Sequence, residues 1–190
     1  MYISELKKSP TKILIIINIL TYILTSLMSN SYIQTSQNVM IIFGQANFMV
    51  LKGHLWQLIT SIFIHANIIH LFGNMVFLII FGLGAEVIYG NKNFYIIYFI
   101  SGIFGSILSL FMGLNTISVG ASGALFGIFG AVTINSGRMN FQSVLLALIY
   151  STYFLMINIG ENVNVLAHIG GLLVGIILGY KFTFKLNEEN

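Results

Sequence analysis

The stretch VGASGALFG, residues Val119–Gly127, places one serine between glycines in a part of the chain that carries no charge. No Asp, Glu, Lys or Arg occurs between Lys92 and Arg138. In such surroundings Ser122 can be a small packing residue, the N-cap of a helix, or a nucleophile. The composition, the spacing of polar residues and the glycine pattern bear on which of these applies.

The composition is that of a protein embedded in a lipid bilayer. Apolar residues make up 57% of the 190 residues and charged residues only 7%, whereas a soluble domain carries roughly a quarter charged residues. Uncharged runs of about 20 residues match the length needed to cross a hydrocarbon core of about 30 Å. We therefore expect an all-α membrane protein, a compact bundle of transmembrane helices.

The residue types that are missing exclude several kinds of site. The chain has no cysteine and no aspartate, so disulfides, thiolate metal sites and a Ser-His-Asp triad are excluded. The net charge of +3 is small and scattered, and it does not indicate a nucleic-acid partner. No cofactor is predicted.

Six uncharged runs predict six spans, at about residues 13–29, 67–89, 94–114, 122–135, 141–159 and 163–180. They define a six-helix domain of residues 13–180, preceded by residues 1–12 and followed by a polar, frayed tail of residues 181–190. Pro10 suits the start of the first helix. The segment between the first two spans mixes aromatic residues, methionines, Lys52 and His54, which is typical of a structure lying at the membrane interface.

The basic residues predict the orientation in the membrane. With a cytoplasmic N-terminus, seven of the eight basic residues fall on the cytoplasmic side: Lys7, Lys8, Lys12, Lys92, Arg138, Lys181 and Lys185. Only Lys52 falls outside, as the positive-inside rule requires. We therefore expect a multi-pass cell-membrane protein with both termini in the cytoplasm.

Polar residues inside the predicted spans are costly and usually face a cavity or one another. His70 and Asn74 are four residues apart and share a face of the second helix, whereas His65 does not share that face as well. A metal site is not predicted there, because no carboxylate or cysteine lies nearby and the histidines lack the i, i+4 spacing of a helical zinc motif.

Ser122 and His168 are expected at similar depths near the outer ends of the fourth and sixth helices. Gly123 and Gly127 on one helix, and Gly171, Gly175 and Gly179 on the other, form small-residue faces that allow close packing in a membrane. A close crossing would bring the Ser122 hydroxyl within reach of the His168 ring. The start of a helix favours both an N-cap and the binding of an oxyanion, so the position of Ser122 alone does not separate these roles.

In combination, three motifs resemble the rhomboid family of intramembrane serine proteases over residues 12–180. They are HANIIHLFGNM at His65–Met75, GASGALFG at Gly120–Gly127, and AHIGGLLVG at Ala167–Gly175. GxSG alone would be weak support, but the three motifs in this order are specific. The six-span form with short tails also suggests a bacterial source.

The resemblance implies roles for individual residues. Ser122 would be the nucleophile and His168 the general base of a catalytic dyad. His70, Asn74 and the backbone N–H of Ser122 would form the oxyanion hole, with Gly120 and Gly123 flanking the nucleophile. Glu86 matches a family glutamate for which a structural hydrogen-bonding role is expected.

Two positions depart from the family pattern. Gln57 follows Trp56 where many members carry an arginine, so the contacts of that arginine are not transferred to it. Phe126 stands where some members carry a tyrosine that packs on the catalytic histidine, and a phenyl ring can still pack there.

The function implied is an intramembrane serine endopeptidase that cleaves transmembrane or juxtamembrane segments through an acyl-enzyme. Its substrates would be single-span membrane proteins, cut near their outer ends at a site that opens toward the extracellular side. The alternative is a catalytically inactive rhomboid-like protein that binds membrane helices for quality control or trafficking. The oligomeric state is left open by the sequence.

Overall fold

The computed structural model describes residues 9–135 and 163–188. The predicted fifth span at residues 141–159, and Arg138 with it, lie outside the described residues. Within them, three helical segments are long and apolar enough to cross a bilayer, at Pro10–Ser29, Ile68–Met112 and Val165–Phe184, and Ser122–Ile134 is a shorter apolar helix. The prediction of an all-α membrane fold is confirmed.

The first helix, α1, covers Pro10–Ser29. The Ser9 hydroxyl caps it by accepting from the backbone N–H of Lys12. The Glu86 carboxylate accepts hydrogen bonds from the Ser9 hydroxyl, at 2.8 Å, and from the backbone N–H of Thr11. A negative charge here also complements the positive end of the helix dipole, so Glu86 joins α1 to the second span.

The segment after α1 is folded into short elements. These are α2 (Gln37–Phe43), α3 (Asn47–Val50), α4 (Gln57–Thr60) and a 3₁₀ turn (Ser61–Phe63). A two-residue strand, β1 (Gln45–Ala46), pairs antiparallel with β2 (Ile117–Ser118), with Gln45 opposite Ser118. The segment is therefore hydrogen-bonded to the stretch that immediately precedes Ser122.

The second and third predicted spans form one almost unbroken helical run. Helix α5 (Ile68–Phe77) continues through a wider π-helical turn (Leu78–Gly82) into α6 (Leu83–Ser109), which a 3₁₀ turn (Leu110–Met112) follows. The run changes direction at Gly90, where φ is 67° and ψ is 169°. Because glycine adopts a positive φ without a Cβ penalty, one residue makes the connection that the sequence suggested would need about four.

Helix α7 (Ser122–Asn135) is the centre of the bundle. Six residues of α7, and Ala121 immediately before it, are almost fully buried. The six are Ala124, Leu125, Phe126, Ile128, Phe129 and Ala131. A helix that is apolar all round and enclosed by its neighbours is a core helix. It packs against α8 (Val165–Glu188) and α6.

Helix α8 corrects one expectation. The tail was expected to fray after Tyr180, but the helix continues to Glu188. Lysine, leucine and glutamate in this stretch are good helix formers, and continuing the helix satisfies the backbone groups that fraying would leave unpaired.

The crossing of α7 and α8 is tight because of glycines. A Cβ added at Gly171 would overlap the carbonyl oxygen of Gly123, and one added at Gly175 would overlap that of Gly127. The two backbones are therefore in direct contact one turn apart, at a separation that only glycine permits at these two positions on α8.

Candidate active site

Ser122 is the first residue of α7, so the local chain path determines where its hydroxyl lies. The preceding Gly120 has φ of 113°, a value that residues with a Cβ rarely adopt, and its N–H donates to the carbonyl of Ser61 at 2.9 Å. These two features turn the chain from β2 into α7. They also leave Ser122 beside the unpaired N–H groups of the helix start.

The His168 ring faces Ser122 from α8. The Nε2 atom of His168 lies 2.8 Å from the Ser122 Oγ, within hydrogen-bonding distance. His168 stands one turn into α8 and is 5% exposed. The structure thus brings these two predicted site residues together, 46 positions apart in the chain.

The orientation of the His168 ring is maintained by packing. The Phe126 ring stacks on it with centroids 4.4 Å apart and planes inclined by 22°. The Nδ1 atom is buried and has no hydrogen-bond partner among the residues that the structure describes. The expected contact of a phenyl ring at this position is therefore present.

His70, in α5, lies against the chain just before Ser122. Its backbone N–H donates to the Asn67 side chain, which caps α5, at 2.8 Å. Its ring lies directly against Gly120, where an added Cβ would be 2.6 Å from the His70 Nε2 atom. Gly120 is thus required for its close approach to the imidazole as well as for its φ.

Asn74 lies one turn further along the same helix and is fully buried. Its Nδ2 atom donates to the His70 carbonyl at 2.9 Å, which leaves the second N–H of the amide for another acceptor. Asn74 and Ser122 both line a small cleft of about 180 Å³, together with Phe77, Leu125 and Phe126. Asn74 and Ser122 therefore border the same small cleft.

His65, which the sequence analysis set apart from His70, is also fully buried. Its Nδ1 atom lies 3.2 Å from the Phe63 carbonyl, and its ring meets the His70 ring edge-on, with centroids 5.1 Å apart. Burial lowers the pKa of His65 well below its ordinary value, and the neighbouring His70 lowers it further. A neutral imidazole supports the packing of His70 without introducing charge.

A second and larger cleft opens beside Ser122, with a volume of about 350 Å³ including the open space at its mouth. Its lining contains hydroxyl and amide groups from Ser61, Ser106, Ser118, Gln45 and Asn164, and no charged side chain. Polar groups at membrane depth are tolerated where they line a cavity enclosed by protein. The cleft is polar and has room for ordered water next to Ser122.

Some polar residues around the site were not assigned a role from the sequence. The Gln57 side chain is fully buried, accepts from the Ala46 N–H at 3.0 Å, and donates to the carbonyls of Ile41 and Ile42 at 2.7 and 3.2 Å. Gln57 thus hydrogen-bonds backbone groups within the segment between α1 and α5. Nothing in the local sequence distinguishes such a residue from an exposed glutamine.

Across residues 9–135 and 163–188, no three His, Cys, Asp or Glu side chains are gathered as ligands of one ion. The chemically distinctive groups of the site are the hydroxyl–imidazole pair of Ser122 and His168 and the buried amide of Asn74.

Comparison with known proteins identifies a family. The family model described as Rhomboid domain matches residues 52–184. RHOMBOID-like protein 6, mitochondrial, from Arabidopsis thaliana is 44% identical over 131 residues, which are 66% of this chain and 43% of that protein.

Several relatives are named as proteases, among them two that match most of this chain. Rhomboid-like protease 3 from Toxoplasma gondii is 35% identical over 171 residues, 84% of this chain and 64% of that protein. Rhomboid protease GluP from Bacillus subtilis (strain 168) is 33% identical over 178 residues, 89% of this chain and 34% of that protein. The chain thus spans between about a third and two thirds of the length of these three relatives.

Proposed function

The chain belongs to the rhomboid family, and we propose that it is an intramembrane serine endopeptidase with Ser122 as nucleophile and His168 as general base. The observation that carries the proposal is the 2.8 Å separation between Ser122 Oγ and His168 Nε2. A nucleophile and a base within hydrogen-bonding reach, with the base oriented by further contacts, is the arrangement that serine acyl transfer needs.

In the first half of the reaction, His168 Nε2 accepts the hydroxyl proton as Ser122 Oγ attacks the scissile carbonyl carbon. Attack creates a tetrahedral intermediate with a negative oxygen. The Ser122 N–H at the helix start, the His70 ring and the second N–H of Asn74 stabilise this oxygen. The protonated His168 then donates its proton to the leaving amine, the C–N bond breaks, and an acyl ester remains on Ser122.

In the second half, water enters the polar cleft and attacks the ester carbonyl. His168 accepts a proton from the water, and the Ser122 oxygen leaves and regains the proton. Enclosure by protein lets these polar steps take place at membrane depth. Phe126 keeps the His168 ring oriented in both halves, since the Nδ1 atom of that ring has no hydrogen-bond partner among the residues that the structure describes.

The substrates proposed are single-span membrane proteins that are cut near their outer ends. The charge distribution supports an orientation with both termini in the cytoplasm of the cell and the site open to the extracellular side. Glycine-lined packing of α8 on α7 keeps the base at the depth of the nucleophile.

Proteoliposomes test this proposal directly. Wild-type protein, Ser122→Ala and His168→Ala are each reconstituted with a single-span substrate that carries small residues near its outer membrane boundary. We expect cleavage by the wild type and none by either variant. Substrate that co-purifies with all three proteins but is cut by none would favour the catalytically inactive, helix-binding alternative, and equal cleavage by all three would exclude the dyad.

A further inference from the structure

A cluster of three polar side chains, Ser109, Ser118 and Asn164, lies where α6, β2 and α8 meet, in the lining of the larger cleft beside Ser122. The Nδ2 atom of Asn164 donates to Ser118 Oγ at 2.7 Å and to Ser109 Oγ. The two serine hydroxyls are bonded to each other at 2.7 Å. Both N–H groups of the amide are therefore used.

The three residues come from three different elements. Ser109 is the last residue of α6 and is fully buried, Ser118 belongs to β2, and Asn164 immediately precedes α8. Asn164 also caps α8, because its Oδ1 atom accepts from the Ala167 N–H at 3.0 Å. Its carbonyl accepts from the His168 N–H at 3.2 Å.

The spacing relates this cluster to the reacting pair. Ser118 precedes Ser122 by four residues, and Asn164 precedes His168 by four residues. The hydrogen bond between Ser118 and Asn164 therefore joins the segment that carries the nucleophile to the segment that carries the base. The glycine contacts between α7 and α8 set the helix separation on the cytoplasmic side of the pair, and the cluster sets it on the outer side.

We propose that Asn164 is a positioning residue that maintains the contact between Ser122 and His168 by hydrogen-bonding Ser118 and Ser109. This inference rests on the proposed function, since it concerns the geometry of that same pair. Asn164 acts in two separable ways. Its Oδ1 atom caps α8, the helix that carries His168, and its Nδ2 atom hydrogen-bonds this end of α8 to β2 and α6.

The variant Asn164→Ser separates these two actions. Serine and asparagine are about equally good N-caps, so the start of α8 is retained. Serine is too short to bridge to Ser118 and Ser109, so the amide bonds are lost. Ser118→Ala removes the same bond from the other side, and Thr116→Val is the matched control, because the Thr116 hydroxyl donates to the Met112 carbonyl in the same loop and not to the cluster.

The rate of reaction of the full chain with a fluorophosphonate in detergent measures the geometry without a peptide substrate. We expect Asn164→Ser to lower this rate by about 10- to 100-fold, because misplacing reacting groups by about 1 Å costs about 100-fold. Ser118→Ala should lower it less, and the double variant should be within about twofold of Asn164→Ser, as for two residues that act through one hydrogen-bonded cluster. Thr116→Val should match the wild type.

Two further measurements separate positioning from folding. The thermal midpoint of Asn164→Ser should stay close to that of the wild type, because the cap is kept. In the cleavage assay kcat should fall while KM does not change. A labelling rate for Asn164→Ser within twofold of the wild type would overturn the inference, as would a double variant whose loss is the product of the two single losses.

The outcome also distinguishes this inference from the proposed function. If the wild type is not labelled at Ser122, the proposed function fails and the inference fails with it. If the wild type is labelled and Asn164→Ser is labelled equally fast, only the inference fails. Should Asn164→Ser not fold, Ser118→Ala decides: a rate equal to that of Thr116→Val would overturn the inference.

Discussion

The substitution Gly171→Ala tests how closely α7 and α8 must pack. The added Cβ would overlap the Gly123 carbonyl oxygen and lie 2.8 Å from the Gly123 carbonyl carbon, which is roughly 1 Å short of the 3.5–4.0 Å optimum for carbon atoms. Helix α8 must therefore move away from α7 by about that distance. The Ser122–His168 separation, now 2.8 Å, would leave hydrogen-bonding range.

The magnitude follows from two opposing effects. Overpacking a tight contact costs about 1–3 kcal/mol, while replacing glycine by alanine inside a helix recovers up to about 1 kcal/mol. We therefore expect a net loss of about 0–3 kcal/mol in unfolding free energy. The effect on the reaction should be larger than the effect on stability, with the fluorophosphonate labelling rate about 100-fold lower.

Gly84→Ala is the matched control, because Gly84 lies in α6 and a Cβ added there meets nothing within 4 Å. It should be as stable as the wild type or more so, and it should be labelled at the wild-type rate. Labelling rates and thermal midpoints of both variants are measured in the same detergent. If Gly171→Ala reacts as fast as Gly84→Ala, the reasoning from close helix packing to catalysis is wrong.

Three further substitutions test separate contacts. Asn74→Ala removes a proposed oxyanion donor and should lower kcat by about 10²- to 10³-fold; a folded variant that cleaves substrate at the wild-type rate would remove Asn74 from the oxyanion hole. Gln57→Leu leaves the Ala46 N–H and the Ile41 carbonyl without their present partner, and chemical denaturation should show the free energy of unfolding lowered by about 1–3 kcal/mol. An unchanged unfolding transition would mean that other contacts hold the segment between α1 and α5. Glu86→Ala removes the acceptor of the hydrogen bonds from Ser9 and Thr11 and should destabilise the start of α1 by about 0.5–2 kcal/mol. Amide hydrogen exchange in the first turn of α1 should become faster, and unaltered exchange there would contradict the capping role of Glu86.

The membrane fold and the family were predictable because they depend on patterns that extend over many residues. Long uncharged runs indicated the helices, and the matched motif order identified the family that the comparison confirms. Helix α1 ends at Ser29 and helix α7 begins at Ser122. These boundaries are marked locally, by the change from apolar to polar residues after Ser29 and by the GASG motif.

Features that depend on single backbone angles or on distant partners were not predictable. The turn at Gly90 looks in sequence like any glycine at the end of a span, and its one-residue connection follows from a φ of 67°. Helix α8 continues past Tyr180 because its polar tail has good helix formers, a preference that the change in hydropathy obscured.

The polar residues that surround the site illustrate the same limit. Asn164 lies three residues before the AHIGGLLVG motif, and its partners Ser109 and Ser118 are 55 and 46 positions away in the chain. An asparagine before a helix predicts an N-cap, which Asn164 is. The hydrogen bonds of its Nδ2 atom depend on the packing of α6, β2 and α8 against one another, which cannot be read from the neighbouring sequence.

The central claim is that Ser122 is a nucleophile activated by His168, and mass spectrometry of the fluorophosphonate-treated protein tests it most directly. We predict a covalent adduct on the peptide that contains Ser122, absent from Ser122→Ala and strongly reduced in His168→Ala, with both variants folded. An adduct on a different residue, or one that forms on Ser122 at the same rate without His168, would contradict the account.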